Sequence, residues 1–277
     1  MSPKPDADSV RTLGILAGSG TLPRAVAQAC AARGIGVFVI DLGGAVGDWA
    51  RDFPHERVAM GQVGRVLALL TREGCDAVTM AGGLVRPSLT GIRFDRQGLA
   101  LLPRIARLFR SGDDGLLSGV ADMFEEKGFP VIGPEAFLPA DLARAGDMVG
   151  QGAARDDIAL GRSILDALSP FDIGQAVVVA DGVCIAVEAA EGTAAMLARV
   201  EDLRAGRDGG GVLVKMPKRG QDTRVDRPAI GPDTVRAAAA AGLVGIAVEA
   251  GGVIVLEPGR TERCAAEAGI FLHGFAR

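Results

Sequence analysis

Short apolar runs alternate with helix-type segments through the first half of this 277-residue chain. The runs cover residues 13–17, 36–40, 57–60, 76–80 and 129–133. Strands that alternate with helices form parallel sheets, because each right-handed crossover packs its helix back onto the sheet. The pattern therefore predicts an α/β fold with a parallel sheet in the N-terminal domain.

The second half has a different pattern, in which some strands follow each other directly. Asp181-Gly182 lies between two β-branched runs, which is a strong signal for a β-hairpin. Two further apolar runs, 244–250 and 253–257, are joined through a glycine pair. A mixed α+β domain is therefore expected. The predicted boundaries are a frayed terminus over 1–11, an α/β domain over 12–135, a linker over 136–155 and an α+β domain over 156–277.

The composition argues against several kinds of function. The 30 basic and 34 acidic residues are mixed along the chain, and only ten phenylalanines, one tryptophan and no tyrosine are present. Neither a basic surface nor stacking side chains for nucleic acid are expected from this composition. With two histidines and four cysteines that lack metal-binding spacing, zinc chemistry and a histidine-based triad are not expected either. The sequence contains no run of about 18 apolar residues, so no membrane-spanning helix is expected.

The most distinctive segment is the charged stretch 215–231, which follows an apolar run and precedes a helix at Pro232. Its prolines and glycines disfavour regular helix or strand and predict a shaped loop. If the stretch is extended, Asp222, Arg224 and Asp226 lie on one side of it. Two carboxylates beside a guanidinium are suited to hold a divalent cation and a phosphate. A solvated loop of surface ion pairs is an equally open interpretation.

A glycine-rich turn follows the first apolar run. Residues 18–21 precede a helix with Pro23 in its first turn, and such a strand–turn–helix unit presents backbone N–H groups to a phosphate. Gly18, Gly20 and the later Asp41 also match part of a dinucleotide-binding fingerprint, although Pro23 replaces its third glycine. Phosphate binding, nicotinamide binding and a turn without ligand are therefore alternatives here.

Two other turns are candidates for ligand binding. Gly82 and Gly83 follow an apolar run, and ligands bind at the carboxyl ends of strands in open α/β sheets. Glu191, Gly192 and Thr193 precede a predicted helix from about residue 194, for which Thr193 is a good N-cap. The first turn is interpreted as ligand-facing, and the second either as a phosphate-facing turn or as a helix cap with its flanking acid.

Five motifs occur in order along the chain: GILAGSGTLP (14–23), GDDGLL (112–117), DIGQAVVV (172–179), AVEAAEGT (186–193) and QDTRVDRPAIG (221–231). Together they resemble the LpxI family, the two-domain UDP-2,3-diacylglucosamine pyrophosphatases of lipid A biosynthesis. The resemblance covers essentially the whole chain from about residue 13, and the start of the last motif is its most specific part. Ala194 departs from the family pattern, in which aspartate follows Glu-Gly-Thr.

The resemblance implies a Rossmann-like domain over 12–135 and an α+β catalytic domain over 156–277. It also implies Mg²⁺-dependent hydrolysis of UDP-2,3-diacylglucosamine to UMP and 2,3-diacylglucosamine 1-phosphate (lipid X), with water attacking the α-phosphorus. Diphosphate hydrolysis needs a metal and cations but no Ser, Cys or His nucleophile, which fits the composition. Asp222 and Asp226 are expected to hold Mg²⁺. The residues expected to be catalytic are Asp226, Asp222, Lys215 and Arg224. Those expected to bind substrate are Gly18, Ser19, Gly20, Thr21, Gly82, Gly83, Glu191, Gly192, Thr193, Lys218 and Gln221.

The acylated substrate and product imply a cytoplasmic enzyme of Gram-negative bacteria that contacts the inner face of the inner membrane peripherally. A nucleic-acid partner is not expected, and a homodimer is a candidate assembly. Two other functions stay open. One is a nicotinamide-dependent oxidoreductase built on the partial fingerprint. The other is a non-catalytic carrier of a lipid or nucleotide sugar, which differs from the enzyme only in lacking turnover.

Overall fold

The computed structural model describes residues 7–83, 94–108, 112–152, 154–203 and 210–277. Residues 1–6, the start of the terminus expected over 1–11, lie outside the described ranges. The chain divides into two compact units. The first comprises Met1–Pro139 and Asp222–Asp226, and the second comprises Ala140–Gln221 and Arg227–Arg277.

The first unit has a parallel sheet flanked by helices. Its strands are β1 (Thr12–Ala17), β2 (Gly36–Leu42), β3 (His55–Val58) and β4 (Ala77–Ala81). Its helices are α1 (Leu22–Ala32), α2 (Val63–Arg72), α3 (Arg96–Leu108) and α4 (Gly112–Glu126). The four strands are all parallel, in the order β3-β2-β1-β4. The predicted α/β class is therefore confirmed, because the alternation of apolar runs and helices produces a parallel sheet here.

One apolar cluster of this unit forms between the sheet and two of its helices. Val66 and Leu70 of α2 and Phe124 of α4 pack against Ile40 and Val78 of the sheet. Five of the six residues of β1 are buried, as expected for a central parallel strand covered on both faces.

Two cysteines are buried in the same unit. Desolvation raises the pKa of the Cys30 and Cys75 thiols to about 11. Because the thiolate is the reactive form, both side chains behave as small apolar residues at neutral pH.

The second unit has a mixed sheet of six strands. Its strands are β5 (Gly146–Val149), β6 (Ala176–Ala180), β7 (Val183–Val187), β8 (Val212–Lys215), β10 (Gly245–Glu249) and β12 (Phe271–Phe275), and a separate parallel pair is β9 (Ala229–Ile230) with β11 (Ile254–Val255). Its helices are α5 (Arg155–Leu168), α6 (Gly192–Leu203), α7 (Pro232–Ala240) and α8 (Pro258–Ala268). In the order β5-β12-β10-β8-β6-β7, strands β8, β10 and β12 are parallel and the other pairings are antiparallel.

The predicted β-hairpin is confirmed. Strands β6 and β7 pair in the antiparallel direction, and the turn residues Asp181 and Gly182 have φ of +52° and +75°. Both central residues of a type I′ turn require positive φ, which aspartate and glycine tolerate. The carboxylate of Asp157 on α5 accepts hydrogen bonds from the N–H groups of Asp181 and Gly182, at 3.1 and 2.7 Å. Asp157 thereby ties the hairpin to the helix beneath it.

Several element predictions were wrong in detail. The run 129–133 forms only a single bridge, between Val131 and Val78, because Pro130 has no N–H to donate to a ladder. Residues 136–155 contain β5, which pairs with β12.

The lengths of the helices show whether any of them could span a membrane. Helix α4, with 15 residues, is shorter than the roughly 20 needed to cross a bilayer. No helix in the described ranges is long and apolar enough to span one.

We expect Asp157→Ala to lower the free energy of unfolding by about 1–3 kcal/mol, because two backbone donors at the hairpin lose a charged acceptor. Urea unfolding followed by circular dichroism measures the difference. Asp156→Ala is the matched control, since Asp156 occupies the same first turn of α5 but is exposed. Equal losses in the two variants would show that the hairpin contact contributes nothing.

Candidate functional site

The charged stretch 215–231 contains a turn and is not extended. The backbone N–H groups of Val225 and Asp226 both donate to the carbonyl of Asp222, at 3.1 and 3.3 Å. The alternation of side chains expected for an extended segment is therefore lost. The stretch is also divided, since residues 222–226 belong to the first unit and its remaining residues to the second.

Arg224 lies among carboxylates of the first unit. Its Nε donates to Oδ1 of Asp222 at 2.9 Å and its Nη2 to Oδ2 at 2.6 Å. Its Nη1 donates to Oε1 of Glu125 at 2.5 Å, and Oδ1 of Asp122 lies 3.8 Å from Nη2. The hydrogen bonds with Asp222, together with the nearby negative charges, raise the pKa of Arg224 above its usual value. Any phosphate that binds this guanidinium must compete with these carboxylates.

Two contacts hold residues 222–226 in the first unit. Val225 is only 8% exposed and joins the apolar cluster that includes Phe124 of α4. The backbone N–H of Asp222 donates to Oδ1 of Asp114, also on α4, at 3.1 Å. Helix α4 therefore positions this segment through both apolar and polar contacts.

The oxygen donors near Asp222 are suited to a hard divalent cation. Asp122, Glu125 and Asp222 lie around a single guanidinium, that of Arg224, and Asp114 accepts from the backbone N–H of Asp222, so negative charge is in excess. Mg²⁺ usually takes one or two carboxylates and completes its shell with water and phosphate. Within the described ranges no group of three or more His, Cys, Asp or Glu side chains is placed to hold a metal. The carboxylates near Asp222 could therefore supply one or two ligands to Mg²⁺, with water and phosphate completing its shell.

The two glycine turns of the first unit are hydrogen-bonded to each other. Ser19 N donates to the Gly83 carbonyl at 2.8 Å, Gly83 N to the Ser19 carbonyl at 3.0 Å, and Gly18 N to the Ala81 carbonyl at 2.8 Å. A Cβ at Gly82, where φ is +90°, would lie 2.4 Å from the Ser19 carbonyl oxygen. Glycine is therefore required by the close approach of the turns, and three of the expected phosphate donors bond within the fold.

The remaining residues of the first turn are accessible. Gly20 and Thr21 are exposed immediately before α1. Asp41, the residue that would bind a ribose, is 4% exposed. Its carboxylate accepts hydrogen bonds from Arg57 Nε at 2.9 Å and from Val46 N at 3.2 Å. Because this acid already has protein partners, the structure gives no support to a nicotinamide site.

Lys215 ends strand β8 and is 4% exposed. Its Nζ donates to Oγ1 of Thr193 at 2.7 Å, and Oγ1 of Thr193 donates to Oε1 of Glu188 at 2.8 Å. Oε2 of Glu188 lies 3.7 Å from Nζ of Lys215. A buried ammonium needs an opposing charge, which Glu188 supplies. The second unit thus holds a compensated cation at the carboxyl end of a strand.

Two other loop cations in the second unit are also paired. The Lys218 ammonium donates to Asp172, and Arg219 Nε donates to Oδ1 of Asp166 at 2.8 Å. Oε1 of Gln221 accepts from the backbone N–H of Lys218 at 2.8 Å, so Gln221 shapes the loop. These contacts are the ion pairs that one interpretation of the stretch expected.

Glu191 forms part of a structured turn. Its Oε1 accepts from Arg199 Nη2 at 2.8 Å and its Oε2 from Ala189 N at 3.2 Å. The pKa of Glu191 is lowered mainly by a hydrogen bond from its own backbone and, to a smaller extent, by the hydrogen bond from Arg199. Helix α6 begins at Gly192, earlier than the expected residue 194, so Thr193 lies within its first turn.

Two family models match the chain, the LpxI N-terminal domain over residues 12–140 and the LpxI C-terminal domain over 145–273. A curated protein of Caulobacter vibrioides, UDP-2,3-diacylglucosamine pyrophosphatase LpxI, is 38% identical over 275 residues, which cover 96% of this chain and 98% of that protein. The chain belongs to the LpxI family. The resemblance found in the five sequence motifs is therefore confirmed.

Two solved structures show a weak similarity to this LpxI chain. The CobK precorrin-6A reductase is 13% identical, with a TM-score of 0.34 over 96% of this chain and 88% of that chain. The biotin carboxylase subunit of pyruvate carboxylase is 12% identical, with a TM-score of 0.28 over 66% of this chain and 38% of that chain. Similarities at this level do not establish a shared fold or function.

Three acidic residues of the LpxI chain were missed as site residues, namely Glu188, Asp172 and Asp166. Each neutralises a cation of the charged stretch. Glu188 and Asp172 lie inside motifs that carry the family resemblance, which is a signal that was available. Asp166 lies on α5, 53 residues from its partner Arg219, and no local pattern marks it.

We expect the stabilising effect of Asp166 to depend on pH. Its hydrogen bond with Arg219, and then that with Arg277, lowers the pKa of Asp166. A carboxylate with a lowered pKa stabilises the fold above the unfolded value of about 3.9 and loses that effect as pH falls through its folded value. Asp166→Asn should therefore reduce stability at pH 7, and the difference should shrink below about pH 4.

Urea unfolding of both proteins across this pH range measures the effect. Asp156→Asn, an exposed change on the same helix, is the control and should show a much smaller pH-dependent difference. A deficit in Asp166→Asn that stays constant from pH 7 to about pH 3 would contradict the linkage.

Proposed function

We propose that this chain hydrolyses UDP-2,3-diacylglucosamine to UMP and 2,3-diacylglucosamine 1-phosphate. The observation that carries the proposal is the 38% identity, over 96% of the chain, to a relative named as a UDP-2,3-diacylglucosamine pyrophosphatase. The chemistry of the described residues supports it. The chain offers a buried cation and a carboxylate-rich segment, and diphosphate hydrolysis requires positioning and charge neutralisation more than a covalent nucleophile.

In the proposed reaction, the oxygen of water bonds to the α-phosphorus of the substrate. The bond between that phosphorus and the bridging oxygen breaks, and the electron pair leaves with the phosphate of the acylated sugar. A proton is released from the attacking water. Lys215 and Lys218 are proposed to donate hydrogen bonds to the diphosphate and to offset the charge that develops on the leaving phosphate.

Asp222 and Asp226 are proposed to bind Mg²⁺ and to orient the attacking water. The backbone bond from Asp226 N to the Asp222 carbonyl keeps these residues one turn apart. When bound, Mg²⁺ polarises phosphate oxygens and lowers the pKa of water. Arg224 is proposed to act mainly on Asp222, since it binds both carboxylate oxygens and links them to Glu125.

The accessible part of the first glycine turn is proposed to contact the substrate. Gly20 and Thr21 are exposed at the start of α1, where helix N–H groups attract a phosphate. Gly18, Ser19 and Gly83 are proposed to shape this turn through their mutual backbone hydrogen bonds.

We expect Asp226→Ala to lower the rate of UMP release by roughly 10²–10³-fold, the scale lost when one group that stabilises transition-state charge is removed. The measurement is UMP release from purified substrate in detergent micelles with MgCl₂. Chelation of divalent metal should abolish turnover of the unsubstituted chain, and added Mg²⁺ should restore it.

The control for this assay is Glu267→Ala, an exposed acidic residue of α8, which should retain full activity. UMP release by Asp226→Ala at the unsubstituted rate would contradict the role of Asp226. Turnover that survives complete chelation would contradict the role of Mg²⁺. Substrate binding without any UMP release by the unsubstituted chain would indicate a carrier instead.

A peripheral membrane contact is also proposed, because two acyl chains keep the substrate and product in a bilayer. The chain should therefore co-sediment with phosphatidylethanolamine–phosphatidylglycerol vesicles that contain lipid X. Vesicles of the same phospholipids without lipid X are the control and should retain less protein. Equal absence of the protein from both pellets would contradict the membrane contact.

A further inference from the structure

The hydroxyl of Thr193 has one possible hydrogen-bonding pattern in its cluster. An ammonium only donates hydrogen bonds, and an ionised carboxylate only accepts them. Oγ1 of Thr193 lies 2.7 Å from Nζ of Lys215 and 2.8 Å from Oε1 of Glu188. The hydroxyl must therefore accept from Lys215 and give its single proton to Glu188. It has no proton left for a phosphate oxygen, which is an acceptor.

The same pattern leaves Lys215 with donors for a ligand. Its ammonium has three N–H groups, and within the described part of the chain it makes a hydrogen bond to Thr193 alone. The 3.7 Å separation from Oε2 of Glu188 is an ion pair but exceeds normal hydrogen-bond length. Because Lys215 is 4% exposed, bulk water is largely excluded from it. An anionic phosphate oxygen would satisfy these donors.

Glu188 is itself held rigidly. Glu188 is only 9% exposed, and its Oε2 accepts a hydrogen bond from Gln175 N at 3.2 Å. Its backbone N–H donates to the carbonyl of Ala176 at 2.9 Å. Backbone and side chain are thus both tied to the start of β6. A group fixed in this way can orient its neighbours without moving when a ligand arrives.

We propose that Glu188 is a positioning residue for the hydrolysis and that it acts through Lys215, an inference that rests on the proposed function. Glu188 fixes the Thr193 hydroxyl as an acceptor and opposes the charge of the buried ammonium. Lys215 is thereby kept at the end of β8 with N–H groups directed to the diphosphate. Thr193 accordingly anchors Lys215 and does not donate to the substrate.

The first test is Glu188→Gln, which keeps the shape but removes the charge and one acceptor. We expect kcat for UMP release to fall by about 10–100-fold, because Lys215 is no longer held where charge develops. Thr193→Val, which lacks the hydroxyl, should show a similar loss. Thr193→Ser retains the hydroxyl and should stay within about threefold of the unsubstituted chain, a rescue that loss of packing alone would not give. Glu267→Gln is the exposed control.

The second test asks whether the effect of Glu188 passes through Lys215. In a Lys215→Met background, adding Glu188→Gln should change kcat by less than about twofold, since the group on which Glu188 acts is gone. A purely structural role would instead multiply the two losses. Melting temperatures of all variants establish that they are folded, and the Thr193 variants carry the test if Glu188→Gln does not fold.

Two results would overturn the inference while leaving the proposed function in place. One is an unchanged kcat in folded Glu188→Gln. The other is a loss of kcat in the Lys215→Met, Glu188→Gln double variant that equals the product of the two single losses. Failure of the unsubstituted chain to release UMP would instead overturn the proposed function.

Discussion

Burial of a positive charge at Lys215 is the constraint on which the second unit's candidate site depends. Removing an ammonium from water costs several kcal/mol unless an opposing charge is fixed beside it. Glu188 at the end of the β6–β7 hairpin and Thr193 in the first turn of α6 meet this requirement. Hairpin, helix and strand β8 must therefore come together at one point. The charged loop begins from that point, and its next cations also pair with acids, Asp172 and Asp166.

Local patterns predicted the features that local physics determines. The alternation of apolar runs with helical segments is enough for a parallel sheet, and Asp181-Gly182 is enough for a hairpin. Strand β5 was missed, because a four-residue strand with only two partly buried positions has too little pattern to detect. Contacts between residues that are far apart in the sequence could not be predicted either. The bond between Arg224 and Glu125 joins residues 99 positions apart, and nothing near either residue marks it.

The two interpretations of the charged stretch are compatible once the geometry is known. Ion pairs hold Lys218, Arg219 and Arg224, which is what a loop of salt bridges requires. A paired cation is also already oriented, so a phosphate that replaces its partner encounters a group with little freedom left to lose. Lys215 differs from the other three in its deeper burial, at 4% exposed, and its hydrogen bond to Thr193 leaves N–H groups for a ligand. The chemistry proposed for the chain uses this difference and needs neither histidine nor a reactive cysteine.

The five residues 222–226 have a consequence for how the chain can be divided. They come from the second half of the sequence but belong to the first unit, where Val225 completes an apolar cluster. A gene cut after residue 139 would therefore encode a first fragment that lacks Val225 in its core. The second fragment would carry Val225 without the apolar cluster in which it packs. Domain shuffling and fragment expression at this boundary would separate Val225 from its core.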